Sequence, residues 1–155
     1  MRATFASVTP ALFLVCAGSA FAGDGTYVVS KTDASATVGA KVKASVTITA
    51  RNGWHINQEA PLTLKLTPAP GVALDNPKLG RADLALSTET EARFDVGVTL
   101  SEPGKKIIEA EAAFVLCQKD SCRPIKEKLT VSAEATTAPA APVKKPAKKK
   151  SVSRT

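Results

Sequence analysis

Two cysteines stand close together in the segment FVLCQKDSCRPIKEKLTV, residues 114–131: Cys117 and Cys122, with Gln118, Lys119, Asp120 and Ser121 between them. Thiols at this spacing can close a disulfide, pass electrons by thiol–disulfide exchange, or ligate a metal. The thiolate is the reactive species, and basic neighbours favour it. Lys119, Arg123 and Lys126 lie nearby, while Asp120 opposes them. A bridge across so short a loop removes less freedom from the unfolded chain than the ~3 kcal/mol of a fifteen-residue loop. That argues for a redox pair, and a local structural disulfide is the alternative. Metal binding fits poorly. His55 is the sole histidine, and a set of His55, Cys117, Cys122 and Asp120 lacks the tighter C-x2-C knuckles and extra ligands of metal sites. No metal and no cofactor is expected. One histidine cannot credibly serve a Ser/His/Asp arrangement, and no glycine-rich phosphate loop is present.

The ends of the chain set the compartment in which those thiols would work. The opening MRATFASVTPALFLVCAGSAFAGDG has a positive start at Arg2, an apolar run at 11–15, and the small-x-small pattern Ala20-Phe21-Ala22. It reads as a signal peptide spanning 1–22, too short and wrongly flanked for a membrane span. Its removal takes Cys16 and leaves Cys117 and Cys122 as an even pair in an exported chain, where disulfides persist. The periplasm of a Gram-negative cell is the expected location. Residues 23–135 hold 14 basic and 14 acidic side chains, whereas 136–155 hold six Lys/Arg and no acid. The net charge of +7 therefore says nothing of a nucleic-acid surface on the domain, and none is expected. The segment 136–155, rich in Lys, Pro and Ala, reads as a disordered tail. It is either simply solvated or a tether to anionic cell-envelope polymers.

Between the ends, residues 23–135 alternate with period two. Val42, Ala44, Val46, Ile48 and Ala50 share one face of KVKASVTITA, opposite Lys41, Lys43, Ser45, Thr47 and Thr49. Leu62, Leu64 and Leu66 repeat the pattern, as do Phe94, Val96, Val98 and Leu100, then Ile108, Ala110, Ala112, Phe114 and Leu116. A last strand carries Ile125, Leu129 and Val131; TYVVS at 26–30 and DLALS at 83–87 are weaker. Gly, Pro and Asn punctuate the gaps, as at Asn52-Gly53 and Pro103-Gly104. No window has a helical period. The expected fold is all-β, an immunoglobulin-like antiparallel β-sandwich of about seven strands, with a small barrel as the alternative.

Strand parity then places the cysteines. If even positions of 108–116 face the core, Cys117 faces outward. A hairpin over 118–121 sets Cys117 opposite Cys122, Phe114 opposite Ile125, Ala110 opposite Leu129 and Ile108 opposite Val131, core against core. Ala112 opposite Glu127 is the misfit. Pro124 has no N–H, so Val115–Pro124 should be a non-hydrogen-bonded pair, and Cys117–Cys122 must share that closer type. A bridge there is expected to be exposed and readily reduced.

GWHIN at 53–57, Pro61, APGVAL at 69–74 and CQKDSCRP before the last strand together resemble the N-terminal periplasmic domain of DsbD, a bacterial thiol–disulfide reductase. The resemblance covers about residues 40–133. It implies an immunoglobulin-like module in which Cys117 and Cys122 are the redox pair and exchange electrons with thioredoxin-like periplasmic proteins. It also leans toward Cys122 as the cysteine that meets the partner. The chain departs from the family in its Lys-rich end and in the absence of an aromatic from KLGRADLAL at 78–86, where family members cover the cysteines. Trp54 reads as a sandwich-core anchor. The rival function is a non-enzymatic binding or structural module whose disulfide pins one loop.

Overall fold

A computed structural model describes residues 24–137; the expected leader, and the tail from 138 onward, lie outside the described residues. The alternating segments become β1 (Tyr27–Thr32), β3 (Lys41–Ala50), β5 (Thr63–Thr67), β8 (Leu84–Ser87), β9 (Glu91–Leu100), β10 (Gly104–Gln118) and β11 (Ser121–Thr136). Four further strands are short: β2 (Ala34–Thr37), β4 (His55–Ile56), β6 (Val72–Leu74) and β7 (Lys78–Leu79). They are too short, or in β2 too poor in large apolar side chains, to read from alternation, so about seven strands become eleven among the described residues. A single 3-10 turn, Arg81–Asp83, precedes β8.

The strands form two sheets. One runs β1-β3-β9-β6, with β8 beside the other end of β9; the second runs β2-β11-β10-β5-β7, with β4 also beside β10. In immunoglobulin terms the first sheet is A-B-E-D and the second carries G-F-C, so the topology itself identifies an immunoglobulin-like sandwich. One pairing is not antiparallel. The chain passes from β1 to β2 at Asp33, changes sheet without reversing, and runs parallel to β11. Asp33 secures the crossing: its Oδ1 accepts from the Ser132 backbone N–H at 2.9 Å and from Lys31 Nζ at 3.2 Å. Burial pushes the Asp33 carboxyl up, but these donors outweigh it and the net shift is downward.

The inward parity expected from sequence holds along each long strand. Ala44, Val46, Ile48, Leu62, Leu64, Leu66, Phe94, Val96, Val98, Leu100 and Ile108 through Leu116 at even positions are buried. Ile125 and Leu129 are only half-buried at the core's margin. Trp54 is likewise half-buried against the core. It closes one end of the sandwich and does not anchor its centre.

Glu127, the misfit opposite Ala112, has a partner on the other sheet. The Tyr27 hydroxyl donates to Glu127 Oε2 at 2.6 Å, while the Tyr27 ring packs edge-on against Phe114 with centroids 5.2 Å apart. The carboxylate on the inner face of β11 is thus a hydrogen-bond acceptor at the seam between sheets. Burial, then the bond to Glu127, raises the Tyr27 hydroxyl to about 12. An ordinary tyrosine ionises near 10, so the unfolded chain loses this proton first. The contribution is whole below pH ~10 and is lost as pH climbs toward ~12. Tyr27→Phe should lower the unfolding free energy by about 1.5 kcal/mol and flatten the alkaline end of the stability curve, measured by denaturant titration between neutral pH and pH ~11.

Candidate functional site

The long hairpin of β10 and β11 ends in the two cysteines. Every pairing expected from parity is present: Ile108 with Val131, Ala110 with Leu129, Phe114 with Ile125, Val115 with Pro124 and Cys117 with Cys122. The turn is tighter than the four residues allotted to it, because Gln118 and Ser121 also pair and leave only Lys119 and Asp120 to reverse the chain. Lys119 takes φ 50 there, the left-handed backbone that tight hairpins require. Cys117 and Cys122 are joined as a disulfide with Cα atoms 4.0 Å apart. The pair type is readable from the other side of β10. The Val115 carbonyl accepts from the Asn57 N–H at 2.9 Å, so it points away from β11. Val115–Pro124 is a non-hydrogen-bonded pair, and by alternation Cys117–Cys122 is too.

Exposure departs from the sequence expectation. Cys122 is exposed, but Cys117 retains only 4% of its surface. Its side chain does leave the core face, as parity requires, yet it is covered from the neighbouring strand. β4 pairs with β10 at this point, setting His55 beside Cys117 and Ile56 beside Leu116. The Asn57 side-chain Nδ2 then donates to Cys117 Sγ at 3.5 Å. A two-residue strand has no alternation to reveal this cover, and no local pattern marks Asn57, which closes the GWHIN segment, as a neighbour of the sulfur.

The approach to β4 is built by a turn at Asn52-Gly53. Asn52 has φ 53, Gly53 has φ 78, and the Trp54 N–H bonds back to the Arg51 carbonyl at 3.0 Å. Two successive left-handed residues are the mark of a type I′ turn, for which Asn-Gly is the preferred pair. Gln118 Nε2 donates to the Asn52 carbonyl at 3.3 Å and ties this turn to the cystine hairpin. Beyond β4, Arg81 holds the segment 57–60: its Nη2 donates to the Asn57 and Ala60 carbonyls at 2.8 and 2.7 Å. The segment KLGRADLAL, without an aromatic cover, thus supplies an arginine that fixes the residues beside Cys117.

Arg123 does not act on the cysteines. It alternates with Cys122 to the other face of β11, where its guanidinium lies over the Trp54 ring at 5.1 Å and bonds to Asp24 and Thr26. The Thr26 hydroxyl, then the Arg123 guanidinium, hold the Asp24 carboxyl down at about 2. Arg123 is therefore spent on clasping the start of the domain, and its expected help to a thiolate is absent. Lys126 remains on the face of Cys122. Among the described residues, no three or more His, Cys, Asp and Glu side chains gather as a metal site. No helix among them is long and apolar enough to cross a membrane.

Comparison with known proteins adds only a general resemblance. No family model matches the chain, and no curated protein does. Among solved structures it is similar to AggA, the major subunit of aggregative adherence fimbriae type I from Escherichia coli, at 11% identity, 74% of this chain, 97% of that one and a TM-score of 0.41. It is also similar to the PapD-like domain 7 of human CEP192, at 7% identity, 84% and 100% coverage and a TM-score of 0.40. WR4, a C. elegans MSP family member, matches at 9% identity over 66% of this chain and 92% of that one, with a TM-score of 0.37. These likenesses are too loose to bear on the site.

Proposed function

We propose that the domain is an exported thiol–disulfide exchange module, similar to the N-terminal periplasmic domain of DsbD, in which Cys117 and Cys122 are the redox pair. The observation that carries this reading is the asymmetry of the bridge: Cys122 is exposed and Cys117 is buried. Of the two, Cys122 is the residue on the surface, where an attacking thiolate would approach. A partner's thiolate attacks Cys122 Sγ, the bond between the cysteines breaks, and its electron pair leaves on Cys117 Sγ. A second partner thiolate then attacks the partner's own sulfur in the mixed disulfide and releases Cys122. Two electrons and two protons pass to the domain while the partner's dithiol becomes a disulfide. In reverse, Cys122 attacks a partner's disulfide and Cys117 resolves the mixed species. Suitable partners are thioredoxin-like proteins of the same compartment, expected to be the periplasm. The Lys-rich composition of residues 136–155 suits a tether to anionic envelope polymers.

The bridge spans residues five apart in sequence, on a hairpin already held by a continuous ladder. Opening it should leave the fold standing. The burial of Cys117 favours a second reading, a non-enzymatic binding module with a locally stabilising disulfide. The two readings make opposite claims about ease of reduction.

Two measurements separate them. First, the Cys117→Ser/Cys122→Ser double variant should keep a cooperative thermal transition and lose no more than about 2 kcal/mol, the loop-entropy contribution of so short a ring. Second, equilibration with glutathione should give a reduction potential well above the range of inert bridges. Cys117→Ser, with Cys122 free, should trap a mixed disulfide with a thioredoxin-like protein, and Cys122→Ser should not. A potential below about −300 mV, with neither variant capturing a partner, establishes the structural module instead.

A further inference from the structure

We propose that the side-chain amide of Asn57 is a dedicated hydrogen-bond donor to Cys117, holding the thiolate that forms there when the bridge opens. The inference rests on the exchange reading for its biological purpose, but its chemistry is independent of any partner. Asn57 Nδ2 lies 3.5 Å from Cys117 Sγ, and every other polar group of Asn57 is committed. Its N–H donates to the Val115 carbonyl at 2.9 Å. Its carbonyl accepts from Arg81 Nη2 at 2.8 Å. Its Oδ1 accepts from the Glu59 and Ala60 backbone N–H groups at 2.8 and 3.1 Å.

Those last two bonds settle which way the amide faces. An asparagine amide is ordinarily ambiguous, since oxygen and nitrogen occupy similar positions. Here two backbone donors point at one side-chain atom, which must be the oxygen. The nitrogen is left facing the sulfur, and no flip can reverse it without setting donor against donor. Arg81 and the Val115 carbonyl hold the residue's backbone, so the donor stays aimed.

The contact is weak while the sulfur is in a disulfide, because such sulfur is a poor acceptor. It strengthens when the bond breaks. A thiolate at Cys117, buried to 4% exposure, suffers desolvation that raises its proton affinity, and a donor to the charged form lowers it again. A leaving thiol of lower pKa leaves faster. The amide therefore favours the open state and its transition state over the closed one, which is the condition for assisting the step. It also directs attack, since the stabilised leaving group is Cys117 and the sulfur attacked is Cys122. Asn57 touches a reacting atom; Arg81 is a positioning residue. The other titratable groups near the sulfurs are His55 across the ladder, Lys126 on the same face of β11, and Lys119 and Asp120 in the turn. All are retained in the variants below.

Asn57→Ser keeps a side-chain oxygen able to accept from the following backbone N–H groups but withdraws the donor from the sulfur. Asn57→Asp keeps the acceptor in its present place and sets an oxygen where the donor was. In a full chain carrying Cys16→Ser and Cys122→Ser, Cys117 is the one free thiol, and its titration is followed by thiolate absorbance. Asn57→Ser should raise that pKa by about one unit, and Asn57→Asp by more. In the Cys16→Ser chain with the bridge intact, reduction by dithiothreitol should slow roughly threefold or more in each variant. Thermal melts identify which variants are folded, and a single folded variant suffices. If the folded variant titrates and is reduced like its parent, the proposal is wrong. Because a small thiol is the probe, that result leaves partner capture untouched, and a failure to capture a partner leaves this result untouched.

Discussion

The β10–β11 hairpin depends on its register more than on any single contact. A slip of one residue would send Phe114, Ile108 and Ala110 to the solvent face and bring Glu109 and Glu111 into the core. With the apolar positions opposed, Pro124 must fall at a place where the ladder needs no N–H from it, and it does. That same alternation fixes the close pairing of Cys117 with Cys122 and leaves a two-residue turn. The hairpin is also the backbone of the second sheet, since β5 and β4 line one side of β10 and β2 joins the far end of β11. Register, disulfide and site cover are one constraint seen at three places.

Much of this was legible in the sequence because the long strands alternate over five or more positions, and alternation survives any choice of neighbour. The paired core positions and the bridge follow from it directly. The short strands β2, β4, β6 and β7 were not legible. β4, β6 and β7 have two or three residues, too few to display a period, and the four of β2, ASAT, carry no large apolar side chain, unlike LALS of β8. Glu127 illustrates the same limit. Its place opposite Ala112 was visible, but its partner Tyr27 lies a hundred residues away on the other sheet, and no local pattern joins them. Arg123 is next to Cys122 in sequence, but on a strand adjacent residues face opposite ways. The alternation that places the cysteines on the outer face places the arginine on the inner one.

The unequal burial of the two sulfurs follows from where their strands sit in the sheet. Parity treats a cross-strand pair as symmetric, and the backbone of this pair is. The surroundings are not. β10 is an interior strand, with β4 on one side and β11 on the other, so Cys117 has a neighbour across the ladder to cover it. Among the described residues, β11 is paired on its outer side only at Ala133–Thr136, by β2. Among the same residues its stretch from Ser121 to Thr130 has no second neighbour, and Cys122 lies on that edge. A non-hydrogen-bonded position turns its own N–H and C=O outward, so Cys122 presents open backbone groups as well as an open sulfur. Two residues on, the outward position is Pro124, which has no N–H to offer, and Lys126 and Lys128 follow on the solvent face. Proline and lysine are the usual means of keeping a sheet edge from pairing with other chains. Here they guard the middle of that edge, and among the described residues Cys122 lies at the end before them.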